Sequence, residues 1–184
     1  MMLLDAAKST LLIIDMQERL LPAMTGADEV ERRCAILLKV AKALEVPVTV
    51  SEQYPKGLGH TVPGLTSEIG NVPVFEKLAF SCWKDAALKD HMIGHHERQR
   101  PLVIVAGIEA HVCVLQTAID LAAAGYGVFA VADAMSSRAS SSVALAQERM
   151  RQNGIAVVDT EMVVFELLKQ AGTAEFRALS ALVR

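Results

Sequence analysis

Six short runs of β-branched and apolar residues recur along this chain: Thr10–Ile14, Val46–Val50, Val72–Phe75, Leu102–Ala106, Gly127–Ala132 and Ile155–Val158. They are near-continuous in hydrophobicity rather than alternating with a period of two, the pattern of strands covered on both faces. The segments between them carry helical spacing. Val30–Leu44 places Val30, Cys34, Leu37, Leu38, Ala41 and Leu44 on one stripe, with Arg32, Arg33, Lys39 and Lys42 off it. Val112–Ala124, Val143–Met150, Met162–Lys169 and Ala174–Leu182 read the same way, and Gly125, Gly127 and Gly154 sit where helices should stop and strands begin. Strands alternating with helices need right-handed crossovers. The expected fold is therefore α/β, a doubly wound three-layer sandwich around a six-stranded parallel sheet.

With 184 residues, no internal repeat and no linker that would cut the chain, a single domain over residues 1–184 is expected. Apolar residues make up 52% before the 11 glycines are counted. That exceeds the roughly 45–50% of ordinary soluble domains, excludes disorder, and suits a doubly covered sheet with a subunit interface. Lys and Arg number 18 against 21 Asp and Glu, a net charge of −3 with no basic block, which argues against a nucleic-acid partner. No apolar run approaches the ~18–20 residues of a membrane span. The N-terminus has no basic region before its apolar stretch and carries Asp5, so a secretory signal is not expected. Cys34, Cys82 and Cys113 are odd in number and far apart. They make no disulfide framework and suit a cytoplasmic protein with reduced thiols. Few charges in Ala156–Val164 predict a homo-oligomer, dimer or higher.

In an open α/β sheet, ligands bind outside the carboxyl ends of the strands. That rule selects Asp15 after the first run, Glu52 and Gln53 after the second, and Glu76 and Lys77 after the third. Glu109, His111 and Cys113 follow the fourth run, Asp133 the fifth and Asp159 the sixth. Cys113 falls near a helix N-terminus, where unpaired N–H groups and the macrodipole favour an anion, so a lowered thiol pKa is expected. Read alone, Cys113 is a small core residue, Asp15 a helix cap and Lys77 a solvated amine. Read together, the cation favours thiolate, and the carboxylate can take the thiol proton and return it to a leaving group. The long Ser51–Asn71 stretch, rich in Gly and Pro, is expected to be a lid or binding loop.

Leu12-Ile-Ile-Asp15-Met-Gln17, Glu76-Lys77-Leu-Ala-Phe80-Ser and Gly107-Ile108-Glu109-Ala-His-Val-Cys113 resemble, in order and spacing, the isochorismatase-like cysteine hydrolases. The likeness continues through Ala132-Asp133-Ala-Met-Ser-Ser-Arg138 and covers essentially the whole chain. The Glu52–Pro63 stretch is most similar to isochorismatase domain-containing hydrolases of undefined substrate. The resemblance implies a catalytic triad of Asp15, Lys77 and Cys113, and a non-proline cis peptide at Ile108–Glu109. It also implies an oxyanion hole made by the backbone N–H groups of Glu109 and Cys113. Nicotinamidases of this family carry an Asp-x-His metal motif where this chain has Glu52-Gln53-Tyr54, with only His60 nearby, so no metal and no other cofactor is expected. A cysteine nucleophile also argues against hydrolysis of isochorismate itself.

The residues expected to line the substrate pocket are Gln17, Gln53, Tyr54, Phe80, Trp83 and His111. Cys82 reads as an oxidation-sensitive neighbour and Cys34 as inert. His91, His95 and His96 lie in the densely charged Asp90–Arg100 segment and read as a solvated helix end rather than metal ligands. Gly57-x-Gly59 lacks the third glycine of a dinucleotide fingerprint. The Ser136–Ser142 cluster reads as a turn and helix cap, with Arg138 able to pair with Asp133 or a substrate carboxylate. The function expected is a metal-independent hydrolase cleaving an amide-like C–N bond of a small molecule through a Cys thiolate and acyl-enzyme. The alternatives are a catalytically inactive α/β ligand- or protein-binding module and, lacking any Cys-x-x-Cys, a thiol redox protein.

Overall fold

Each apolar run supplies a strand. In this computed structural model, which describes residues 3–183, β1 (Ser9–Ile14), β2 (Val48–Gln53), β3 (Val74–Lys77), β4 (Leu102–Ile108), β5 (Gly127–Ser136) and β6 (Ala156–Val158) form one parallel sheet. The strand order is β3-β2-β1-β4-β5-β6. Successive side chains of β1 feed two separate cores: Leu11 and Ile13 pack to one side, Leu12 and Ile14 to the other. Helices α1 (Ala27–Ala43), α3 (Pro63–Ile69), α7 (Thr160–Leu168) and α8 (Ala174–Ser180) cover the first face. Helices α4 (Ala86–Glu97), α5 (Leu115–Ala123) and α6 (Ser140–Gln152) cover the second. The sheet is doubly wound, as the continuous hydrophobicity of its strands predicts. Edge strand β3 departs from that pattern, with Val74 46% exposed, because it has a neighbour on one side only.

The chain winds outward from β1 to β3 and then returns to place β4 against the other side of β1. This reversal opens a crevice beyond the carboxyl ends of β1 and β4. Ile14 pairs with Gly107 at that point, and the β4–β5 register slips between Val105 and Gly107.

Several expectations need correction. Ser51–Asn71 is not one open loop: β2 continues three residues past Val50, and two short helices follow, α2 (Pro55–Leu58) and α3. Each begins with proline at its first position, where the missing N–H costs nothing. The serine cluster does not cap α6, whose N-cap is Ala139 with no side-chain bond. Instead Ser136 donates to the Thr25 carbonyl and the Ser137 hydroxyl pairs with Nδ1 of His111.

Of the three histidines of α4 only His96 is exposed at the helix end; His91 and His95 are not a solvated end either. His95 is buried, its Nε2 lies 3.1 Å from Nε2 of His91, and that nitrogen is 3.1 Å from Oγ1 of Thr49 on β2. Burial, with the nearby His91, Arg98 and Arg100, lowers the pKa of His95 from 6.5 to about 4. Above pH 6.5 neither folded nor unfolded chain holds this proton. As the pH falls from 6.5 towards 4 the unfolded chain takes it up while the folded one refuses it, so stability drops by up to about 3 kcal/mol. His95→Gln should flatten that decline, read as the urea midpoint against pH. An unchanged slope would rule out His95 as its source.

Candidate active site

Asp15 is the first residue beyond β1. Its backbone is left-handed (φ 54°), a region that Asp tolerates better than most side chains, and the residue is fully buried. Its N–H donates to the Ser51 carbonyl at 3.0 Å and its own carbonyl accepts from Gln17 N at 2.8 Å, which fixes the turn. A carboxylate placed here must be satisfied by the protein. Oδ1 accepts from Oγ of Ser51 at 2.7 Å and Oδ2 from Nζ of Lys77 at 2.7 Å.

Lys77 closes β3, and the parallel register sets it beside Gln53 of β2. Its ammonium has three donors, and all are used: Asp15 Oδ2 at 2.7 Å, Gln53 Oε1 at 2.7 Å and the Phe80 carbonyl at 3.2 Å. Burial alone would strip its proton, but the charge of Asp15, aided by Cys82 and Cys113, outweighs burial and raises the lysine pKa. The amine is held as a cation.

Cys113 lies in a π-helical turn, Ala110–Val114, that leads into α5, and the peptide bond Ile108–Glu109 is cis. The helix expected from Val112 therefore starts as a wider turn, a feature often found at functional sites. The thiol is 5% exposed and near enough to Asp15 for the carboxylate to act on it. Its pKa moves opposite to expectation. Burial pushes it up, the Asp15 charge pushes further, and the opposing pull of Lys77 is too weak to reverse them. At rest the sulfur carries its proton beside an acceptor carboxylate.

The expected pocket residues divide. Gln53 and Tyr54 belong to the site: Gln53 bridges Lys77 and the Leu78 carbonyl, and Tyr54 borders a cavity of about 470 Å³ with Lys77, Glu76, Leu78, Lys84 and Ala86. Asp15 and Cys113 lie outside the wall of this cavity. Phe80 is 54% exposed and contributes its carbonyl to Lys77. The other three do something else. The fully buried amide of Gln17 donates to the carbonyls of Gln53 and Gly59 and accepts from Gln53 N, clamping the chain segments around the crevice. Trp83 packs edge-on against Tyr126 with its ring centroid 5.5 Å away, and Nζ of Lys89 lies over the Trp83 ring, 5.4 Å from its centroid. His111 pairs with Ser137 and borders a different cavity against α6.

Arg138 pairs with Glu109 rather than Asp133, through Nε at 3.1 Å. Asp133 is engaged by Arg33 and Thr160. Glu52 accepts from Thr61 N, Thr61 Oγ1 and Nδ1 of His60 at 2.7, 2.8 and 2.9 Å, so both residues of the would-be metal corner pin the loop after β2. Among the described residues, no group of three or more His, Cys, Asp or Glu side chains is arranged to hold a metal ion.

Sequence reasoning missed Ser51. It follows the apolar run of β2 and carried no motif, yet its hydroxyl touches Asp15. Cys82 was placed only as a neighbour; it is fully sequestered, and its thiol donates to Oγ of Ser51 at 3.6 Å. Burial and then Asp15 push its pKa up to about 11, against the pull of Lys77.

An isochorismatase domain model matches residues 9–162. Isochorismatase family protein 1A of Dictyostelium discoideum is 36% identical over 172 residues, which span 92% of this chain and 82% of that protein. The structure of MAR1 ribonuclease from Caenorhabditis elegans superposes with a TM-score of 0.91 at 34% identity, over 99% of this chain and 92% of its own. The YcaC gene product of Escherichia coli, an octameric hydrolase of unknown specificity, shares the fold at 22% identity. Its TM-score is 0.90, over 98% of this chain and 90% of that one. Sequence, topology and the strand-end constellation agree, and the chain belongs to the isochorismatase family.

Proposed function

We propose that this protein is a metal-independent cysteine hydrolase that cleaves an amide-like C–N bond of a small molecule. The observation that carries this reading is the fully buried Asp15–Lys77 pair, whose carboxylate acts on the nearby Cys113 thiol. Two charges withdrawn completely from water are costly to keep, and catalysis is a reason to keep them.

Asp15 takes the Cys113 proton as the sulfur attacks the carbonyl carbon, forming the C–S bond. Because the thiol rests protonated, transfer and attack proceed together, and Lys77 offsets the charge that moves from carboxylate to sulfur. The backbone N–H groups of Glu109 and Cys113 hold the oxyanion. Collapse breaks the C–N bond while Asp15 returns the proton to the departing nitrogen. A water molecule, deprotonated by Asp15, then attacks the thioester. The C–S bond breaks, the acid is released, and the thiol recovers its proton from Asp15.

The cavity bounded by Tyr54, Leu78 and Lys77 meets the triad at Lys77, and the substrate enters through it to reach Cys113 behind its wall, with no metal or other cofactor. At about 470 Å³ it matches a small molecule. The net charge of −3 speaks against RNA, the substrate class named for the nematode relative. A screen of small amides should find turnover by the wild type that Cys113→Ala loses by at least ~10³-fold. Turnover surviving in that variant would sink the cysteine mechanism. Binding of an amide without turnover by either protein would favour the alternative, an inactive binding module.

The same reading makes the working protein a one-domain, cytoplasmic homo-oligomer. Met162 and Phe165 of α7 stand 51% and 41% exposed, and the E. coli neighbour is an octamer. Sedimentation should give a particle of at least twice the monomer mass; a monomer alone would overturn this.

A further inference from the structure

Asp15 is gripped at both carboxylate oxygens. Lys77 holds Oδ2, and the hydroxyl of Ser51 donates to Oδ1 at 2.7 Å. That hydroxyl has one proton, and the geometry decides where it points. The carboxylate can only accept, so Ser51 must donate to it, and the Cys82 thiol, 3.6 Å away, donates to the free side of the same oxygen. A chain Cys82 S–H, Ser51 O–H, Asp15 carboxylate thus runs through fully dry surroundings, with Cys82 1% exposed and both Ser51 and Asp15 at 0%. Cys82 is in turn fixed by its own N–H donating to Oγ1 of Thr117 at 2.9 Å. Ser51 sits directly opposite Ile14 in the β1–β2 register, so the sheet itself carries the hydroxyl to the acid.

We propose that Ser51, backed by the Cys82 thiol, is the positioning residue of the catalytic acid: it locks the Asp15 carboxylate and sets how readily it takes the Cys113 proton. This rests on the cysteine-hydrolase reading. A donor to a carboxylate favours its charged form. Its loss lets the carboxylate hold a proton to higher pH, where it no longer serves as the acceptor for the thiol. Ser51 touches neither the thiol nor the cavity, so its effect reaches the chemistry through Asp15 alone.

The test needs no substrate. The rate at which iodoacetamide labels Cys113, read on the Cys113 peptide by mass spectrometry, is measured from pH 4 to 9 with the intact protein. Ser51→Ala should move the acid limb of this profile up by about one pH unit. Ser51→Thr, which keeps the hydroxyl, should restore it. Cys82→Ala should shift the limb in the same direction by less, and it serves as the readout if Ser51→Ala fails to fold. A merely structural loss would change the labelling rate at every pH without moving the limb. An unmoved limb in both Ser51→Ala and Cys82→Ala would overturn the inference. Asp15→Asn separates the two levels. If it abolishes the limb while the Ser51 and Cys82 variants leave it in place, only the role of Ser51 falls. If Asp15→Asn leaves the profile intact, the hydrolase reading and this inference fall together.

Discussion

Lys77→Met is expected to destabilise the folded protein by about 3–5 kcal/mol at neutral pH, read as a drop in the urea midpoint. The loss of a hydrogen bond is the smaller part of this. Methionine fills nearly the volume of lysine, so packing changes little, but the Asp15 carboxylate is left at 0% exposure with no cation. Breaking one side of a buried pair costs more than the pair itself contributes, because the remaining charge cannot recover its water. The pH dependence has a definite sign. An unpaired buried carboxylate binds a proton more tightly folded than unfolded, so the penalty is full at neutral pH and shrinks as acid neutralises Asp15. The gap between Lys77→Met and wild type should therefore narrow on acidification. Asp15→Asn combined with Lys77→Met should recover much of the loss. A variant as stable as wild type at neutral pH would mean the pair is not buried as described.

Gly107→Ala is the second large effect, and it acts on the scaffold. Gly107 has φ 116°, where an L side chain is strained, and a Cβ there would collide with the carbonyl oxygen and amide nitrogen of Ile14. The obstacle is backbone of the paired strand β1, which has no rotamer to yield. Relief would require β1 and β4 to separate at the reversal point, beside Asp15. The expected cost exceeds about 4 kcal/mol, with a collapse in soluble yield. An unaltered denaturation midpoint would show that the strands part more easily than this packing implies.

Much of the fold was legible because a doubly covered sheet needs nearly every strand residue apolar. β4 matches that rule throughout and β1 does so from Leu11 to Ile14, and their runs stand out from the helical segments around them. Legibility fails at the carboxyl ends of strands, where hydrophobicity stops being the governing constraint. β2 runs on through Ser51, Glu52 and Gln53, polar residues the sheet tolerates because each is consumed by a partner: Asp15, Thr61 with His60, and Lys77. Two short helices inside a Gly- and Pro-rich stretch bury too little apolar surface to declare a period.

The site divides in the same way. Asp15, Lys77 and Cys113 are marked by an abrupt polar residue after buried strands, together with the family resemblance. Gln17 is near the acid in sequence, but its amide bonds link positions 36 and 42 residues apart, which no local pattern encodes. The direction of the thiol pKa was misjudged for a related reason. A helix N-terminus is visible in sequence, whereas depth of burial and the nearness of Asp15 emerge only when three strand ends are brought together.

The central claim is covalent chemistry at one sulfur supported by the buried acid–amine pair. Its most direct test is the mass of the protein quenched while it turns over a small amide found in the screen. The account predicts an added acyl group mapped to the Cys113 peptide, absent from Cys113→Ala and removed when the substrate runs out. Steady consumption of the amide with no acyl group on Cys113, or with the group on Cys82, would contradict it.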